Sequence, residues 1–173
     1  MEKKNTHIMY GFITGILVVI ASLILYVTGL MFKGSYISII SMVPFLVGII
    51  LNAMAYSKAN DGFVTFGNVF GSCFKMSMIV AIVVVAWNVI ALFALPEMKT
   101  KIIEMSREAM LKDRKATDEQ IDMVLNGMSK YWGYMAVGGA IFSTLLYGAF
   151  FSLIGGAVAQ KKGENPFKTR ESI

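Results

Sequence analysis

The residues of this chain that could do chemistry are few. His7 is the only histidine and Cys73 the only cysteine. A nucleophile needs a base within hydrogen-bond reach, and these two lie at the N-terminus and at the edge of an apolar run. No nucleophile–base pair can be assembled from them. The pair also lacks the spacing of a Cys/His metal site, and a single cysteine excludes an intramolecular disulfide. The stretch NDGFVTFGNVFGSCFKM, residues 60–76, places Gly62, Gly67 and Gly71 ahead of Lys75 and invites comparison with a phosphate-cradling loop. Such a loop ends in Gly-Lys-Ser/Thr between a strand and a helix. Here Gly67 is followed by Asn68 and Val69, with Lys75 eight residues on, so the comparison fails. Lys58 and Asp61 could serve a lipid-modifying enzyme, but nothing around them motivates it. Met98, Met105, Met110, Met123 and Met128 offer thioethers, which are soft ligands for copper(I). Without cysteine or histidine beside them, an adaptable apolar face is the better reading. No metal and no cofactor is expected.

The elements that must position these residues are apolar. Of 173 residues, 56% are hydrophobic and 16% charged, with mean hydropathy +0.64. A soluble domain carries about 25% charged residues. The net charge of +5 does not indicate nucleic acid, because the basic residues sit at the ends of apolar runs rather than on one face. A hydrocarbon core about 30 Å thick takes about 20 helical residues. Four runs meet that length: 8–32, 36–56, 76–95 (stopped by Pro96) and 133–159. The first is too long for a signal-peptide core and no cleavage pattern follows it. Nothing alternates at period two, as a membrane barrel would. The expectation is an all-α integral membrane protein with four transmembrane helices, the second kinked at Pro44.

An even number of spans puts both termini on one side. Eight basic residues fall on each side, so the count alone is a tie. The doublets Lys3–Lys4 and Lys161–Lys162 flank the first and last runs, against Lys33 alone in the first turn, and favour cytoplasmic termini.

No Asp, Glu, His or Arg lies within a run, which weighs against proton-coupled transport. Asn52 and Asn88 are the strongest intramembrane polar candidates. Asn52 lies about 6 Å from one end of its run and Asn88 about 10 Å from the opposite end of its own. Matching depths pairs Thr14 with Asn52 and Ser22 with Asn88, as interhelical hydrogen bonds rather than a substrate site. Gly11 and Gly15 in the first run, and Gly148, Ser152 and Gly156 in the fourth, repeat at four-residue spacing. Such rows let backbones approach, within the chain or between copies.

Residues 97–132 form the one long polar segment, with seven acidic and seven basic side chains. Met98, Ile102, Met105 and Ala109 make one apolar stripe. Thr117 with Gln120 reads as a capping box, and Ile121, Val124, Leu125 and Met128 follow at i, i+3, i+4 and i+7. Glu97–Lys101 and Glu108–Lys112 are favourable pairs. This predicts an amphipathic helical hairpin over about 97–131, turning near 114–117. Phe63, Phe66, Phe70 and Phe74 also share a helical face. They predict a separate interfacial helix over about 61–75, capped by Asn60 or Asp61, with Lys75 reaching for headgroups. Gly67 and Gly71 would let it cross a neighbour closely or bend into the membrane.

Four segments, MEKKNTHIMYGFITGI, PFLVGIILNAMAYSKANDGFVTFGNVFGSCFKM, TDEQIDMVL and FSLIGGAVAQKK, make the chain resemble the domain of unknown function 4199 family over nearly its whole length. That resemblance implies a small bacterial inner-membrane protein of four spans, and it brings no activity or ligand. The functional expectation is a non-enzymatic membrane protein acting by helix–helix association with itself or an unknown membrane partner, within the lipid bilayer and without nucleic acid. The alternative is a small transporter or channel component with Asn52 and Asn88 lining a path.

Overall fold

The computed structural model describes residues 5–33, 40, 42–113 and 117–159. Within them lie six α-helices and one turn of 3-10 helix, with no strand: α1 Thr6–Val27, the 3-10 turn Leu30–Phe32, α2 Val43–Ala59, α3 Phe66–Ala94, α4 Pro96–Asp113, α5 Asp118–Lys130 and α6 Trp132–Val158. Three of these, α1, α3 and α6, are long and apolar enough to cross a membrane, whereas α2 has 17 residues. Residues 36–39 and 41 of the second expected span lie outside the described residues, as do 114–116 of the hairpin turn and the flanking Lys3, Lys4, Lys161 and Lys162.

Local chemistry sets the boundaries. The first apolar run continues to Phe32, but the helix stops at Val27. Gly29 turns left-handed at φ 67°, and the Thr28 and Gly29 amides donate to Ile24 and Tyr26. A glycine adopts that conformation without steric cost and closes a helix. Pro44 does not kink α2; it sits in the first turn, where no intrahelical donor is lost. Leu95, held off helical geometry (φ −129°, ψ 61°) by the following Pro96, separates α3 from α4.

The expected interfacial helix is not a separate element. Residues 66–94 are one continuous helix, and the cap is Thr65, whose Oγ1 accepts from the Asn68 amide at 3.3 Å, not Asn60 or Asp61. The phenylalanine face holds in part: Phe66, Phe70 and Phe74 stack at centroid distances of 6.2 and 6.0 Å, whereas Phe63 precedes the helix. The opposite face, Val69, Ser72, Cys73 and Met76, is buried in the bundle core. An amphipathic pattern cannot tell a helix lying on a membrane from the first turns of one packed against neighbours. Here the inner face decides for packing.

In the bundle, α3 contacts α1, α2 and α6, and α2 contacts α1, α3 and α6. The α2–α3 pair is therefore central, with α1 and α6 flanking it. The core lies where α1 begins and α6 ends: Phe45, Ile49 and Ala53 of α2 meet Val69, Cys73, Met76 and Val80 of α3. Towards the other end the helices show their apolar residues outward, Phe93 being 83% and Phe142 70% exposed. Apolar surface on that scale needs an apolar medium or a partner.

At that second end, α4 and α5 fold against each other. Arg107 donates to Asp122 at 2.5 Å, and the Thr117–Gln120 capping box is formed in both directions. Glu97 pairs with Lys101 at 3.7 Å, but Glu108–Lys112 is not formed. The packed face of α4 runs in four-residue steps through Met98, Ile102, Ser106 and Met110, leaving Met105 and Ala109 exposed. On α5, Ile121 and Leu125 take the seam and Val124 turns outward. One helical turn separates Ile121 from Leu125, so this pair fills the seam and the two apolar residues between them, Met123 and Val124, face away.

Candidate functional site

The buried polar groups gather in the core, between α2, α3 and α6. Asn52, Ser72, Ser77 and Ser152 are all at most 4% exposed. Asn52 donates through Nδ2 to Ser72 Oγ at 3.3 Å and to Cys73 Sγ at 3.7 Å, joining α2 to α3. Its Oδ1 is buried and has no hydrogen-bond partner. Cys73 Sγ–H in turn donates to the Ile49 carbonyl at 3.6 Å. A carbonyl and an amide cannot take the thiol proton, so these contacts do not activate Cys73. The Ser77 and Ser152 hydroxyls donate to carbonyls of their own helices, Cys73 O at 3.1 Å and Gly148 O at 2.6 Å. Among the described residues, no three His, Cys, Asp or Glu side chains gather at one place.

Neither depth-matched pair forms. Thr14 is buried against Gly48 of α2, and Asn52, one turn further, faces α3 instead. Ser22 donates to Val18 O and Asn88 to Val84 O, both at 2.9 Å within their own helices. Counting residues fixes height along a helix but leaves the direction around it open. Asn52 bonds across to α3, whereas Asn88 bonds within α3.

The small residues mark contacts inside the chain. A β-carbon on Gly11 would stand 2.8 Å from Ile79 Cβ, and one on Gly15 2.8 Å from Val83 Cβ, so α1 lies on α3 at these glycines. Gly148 faces Ser77, with 2.5 Å from such a β-carbon to Ser77 Cβ, and Gly156 receives the Phe66 ring at 2.8 Å. The row Gly148, Ser152 and Gly156 is thereby the α6 side of the α3–α6 seam, with Gly155 against Ile49 and Cys73. By contrast Gly67 and Gly71 meet no neighbouring helix, so they do not mark a close crossing. Phe63 and Lys75 are exposed, Phe70 and Phe74 are half-buried, and Phe66 reaches across to Gly156 of α6.

Sequence reasoning missed Gly48, Ser72, Cys73, Ser77 and Gly155. The legible signal was the run of small side chains on one face of α3 opposite the small residues of α6.

The second candidate is the α4–α5 hairpin, which among the described residues packs against the 3-10 turn, α3 and α6. Lys101 lies over the Tyr26 and Phe32 rings, 5.8 Å from each centroid, which tethers α4 to the end of α1. Away from these contacts Met105, Leu111, Met123 and Val124 are exposed, Met123 at 75%.

A family model described as "Protein of unknown function (DUF4199)" matches residues 9–161. No curated protein and no solved structure matches the chain.

Proposed function

This chain belongs to the DUF4199 family of proteins of unknown function, and on that premise we propose that it is a non-enzymatic membrane protein that works by association through its α4–α5 hairpin. In this reading α1, α3 and α6 cross the bacterial inner membrane, and α2 makes a fourth crossing. Both termini lie in the cytoplasm, because basic residues flank the first and last helices on that side. The hairpin then stands on the opposite face.

The observation that carries the reading is where the apolar surface outside the spans lies. The small-residue seams are filled inside the chain, so they are not free for a partner. The hairpin holds its own seam and still presents Met105, Leu111, Met123 and Val124. Methionine-rich helical faces suit a partner helix because the side chain adapts to it. With seven acidic and seven basic residues over 97–132, the hairpin is electrically neutral, so two copies can meet without net repulsion. A second copy of the chain is the partner this balance favours. The transporter alternative gains no support, because Asn88 bonds its own helix and Asn52 is sealed in the core.

The test uses Met123→Cys, which adds an exposed thiol to a chain whose own Cys73 is buried. Mild oxidation of the full chain in vesicles should give a disulfide-linked dimer, and Met9→Cys on the outer side of α1 should not. A Met123→Cys protein that stays monomeric at every protein-to-lipid ratio would sink the reading.

A further inference from the structure

At the end of the bundle where α2 finishes, a groove of about 710 Å³ opens between Tyr10 of α1, the outer face of α2, the turn after it and Val158 of α6. That volume falls within the ~300–1,000 Å³ usual for small-molecule sites. Its chemistry changes along one line. Leu51, Met54, Ala55 and Lys58 line it, at i, i+3, i+4 and i+7 of α2, so an apolar strip leads up to a cation. Asp61 and Gly62 close the top.

The turn that carries Asp61 is unusual. Asp61 has φ 53° and is the one non-glycine residue with positive φ among those described, and Gly62 follows at φ 80°. The Asp61 amide donates to Lys58 O at 3.1 Å and the Gly62 amide to Ser57 O at 2.9 Å. The turn thus wraps the end of α2 and sets a carboxylate beside the rim that Lys58 occupies. A left-handed non-glycine residue is a departure from which function can be sought. The ion pairs among the described residues are Glu97–Lys101 and Arg107–Asp122, both in the hairpin. Lys58 and Asp61, of opposite sign on one groove, therefore have no ion-pair partner among the described residues.

We propose that this groove binds a phospholipid with a primary-amine headgroup, of the phosphatidylethanolamine class. Lys58 takes the phosphate, Asp61 accepts hydrogen bonds from the ammonium, and one acyl chain lies along Leu51, Met54 and Ala55. Charge complementarity selects the class. An anionic headgroup satisfies Lys58 but faces the Asp61 carboxylate without a cation for it. A choline headgroup carries the positive charge but no N–H to donate, and quaternary ammonium sites are built from several aromatic rings, of which, among the described residues, Tyr10 alone lines this groove. The inference rests on the membrane reading and is independent of association through the hairpin.

The experiment measures lipid binding to the purified full chain in detergent by native mass spectrometry, with phosphatidylethanolamine, phosphatidylcholine and phosphatidylglycerol of identical chains. The ethanolamine lipid should bind about tenfold more tightly than either other lipid, the order set by one charge-assisted hydrogen bond. Asp61→Asn keeps the turn, since asparagine accepts the left-handed conformation, and should remove the preference over phosphatidylcholine. Lys58→Gln should weaken ethanolamine and choline lipids alike. Water-soluble glycerophosphoethanolamine should not compete, because it lacks the chains. Equal binding of the three lipids, a preference for phosphatidylglycerol, or an unchanged preference in Asp61→Asn would each overturn the site while leaving the membrane reading in place. A chain that fails to enter vesicles would instead remove the membrane reading itself.

Discussion

Replacing Asn52 by leucine should leave the bundle as stable or make it more so. The two side chains have the same number of heavy atoms and the same branch point, so the change removes polarity while adding only the extra bulk of two methyl groups. Asn52 is fully buried, its Oδ1 has no partner, and its two donated bonds are long at 3.3 and 3.7 Å. A buried acceptor left unpaired costs about 1–3 kcal/mol, whereas side-chain hydrogen bonds between membrane helices average about 0.6 kcal/mol each. Removing the amide relieves the first and forfeits about twice the second, which nets between no change and about 2 kcal/mol of stabilisation. Asn52→Ala should do the opposite, destabilising by about 2 kcal/mol or more through the cavity it leaves among Ile49, Ser72 and Cys73. Reversible unfolding in mixed micelles by titrated SDS, followed by helical circular dichroism, measures both. A loss of more than about 2 kcal/mol in Asn52→Leu, well outside the expected range, would refute the reasoning. It would mean that the Asn52 oxygen is satisfied by something essential, such as a bound water or ion.

Gly148→Val should be strongly destabilising in the same assay, by more than about 3 kcal/mol, because its β-carbon meets Ser77 Cβ and overpacks two backbones. Ser22→Ala and Asn88→Leu should each shift stability by less than about 0.5 kcal/mol, since both groups bond only their own helices. A large loss in either would show a cross-helix partner after all. Thr117→Ala removes one half of the capping box and should weaken α5 by about 1 kcal/mol. The effect should appear as faster amide exchange at residues 118–121, with the core of the bundle unchanged.

The features that could be read along the chain were those set by local, additive physics. Apolar length marked α1, α3 and α6, because crossing hydrocarbon is a matter of residues multiplied by rise. The Thr117 capping box was legible because all its atoms lie within four residues. Other local features were present but ambiguous. Gly29 could continue an apolar run or end it, and its left-handed φ ended α1 at Val27. Pro44 could kink a helix or start one, and it stands in the first turn. The phenylalanines of 63–74 fit a surface helix and a packed one equally, since the period is the same for both.

The tertiary structure decided what depends on direction around the helix axes. Thr14 lies on Gly48, and Asn52 points to Ser72 and Cys73, because α2 is wedged between three neighbours and each residue meets whichever one its azimuth selects. The small-residue rows became internal seams for the same reason: α3 offers Ser77 and Phe66 to α6, and these close contacts are filled within the chain. The groove at Lys58 and Asp61 was beyond sequence reading on other grounds. Its two charges are three residues apart, but their placement on one rim depends on a left-handed Asp61 that aspartate merely tolerates. Sequence by itself determined that this is a helical chain with helices long and apolar enough to cross a membrane. Packing determined which side chains face one another, because hydrophobic length is a sum along the chain and contact is not.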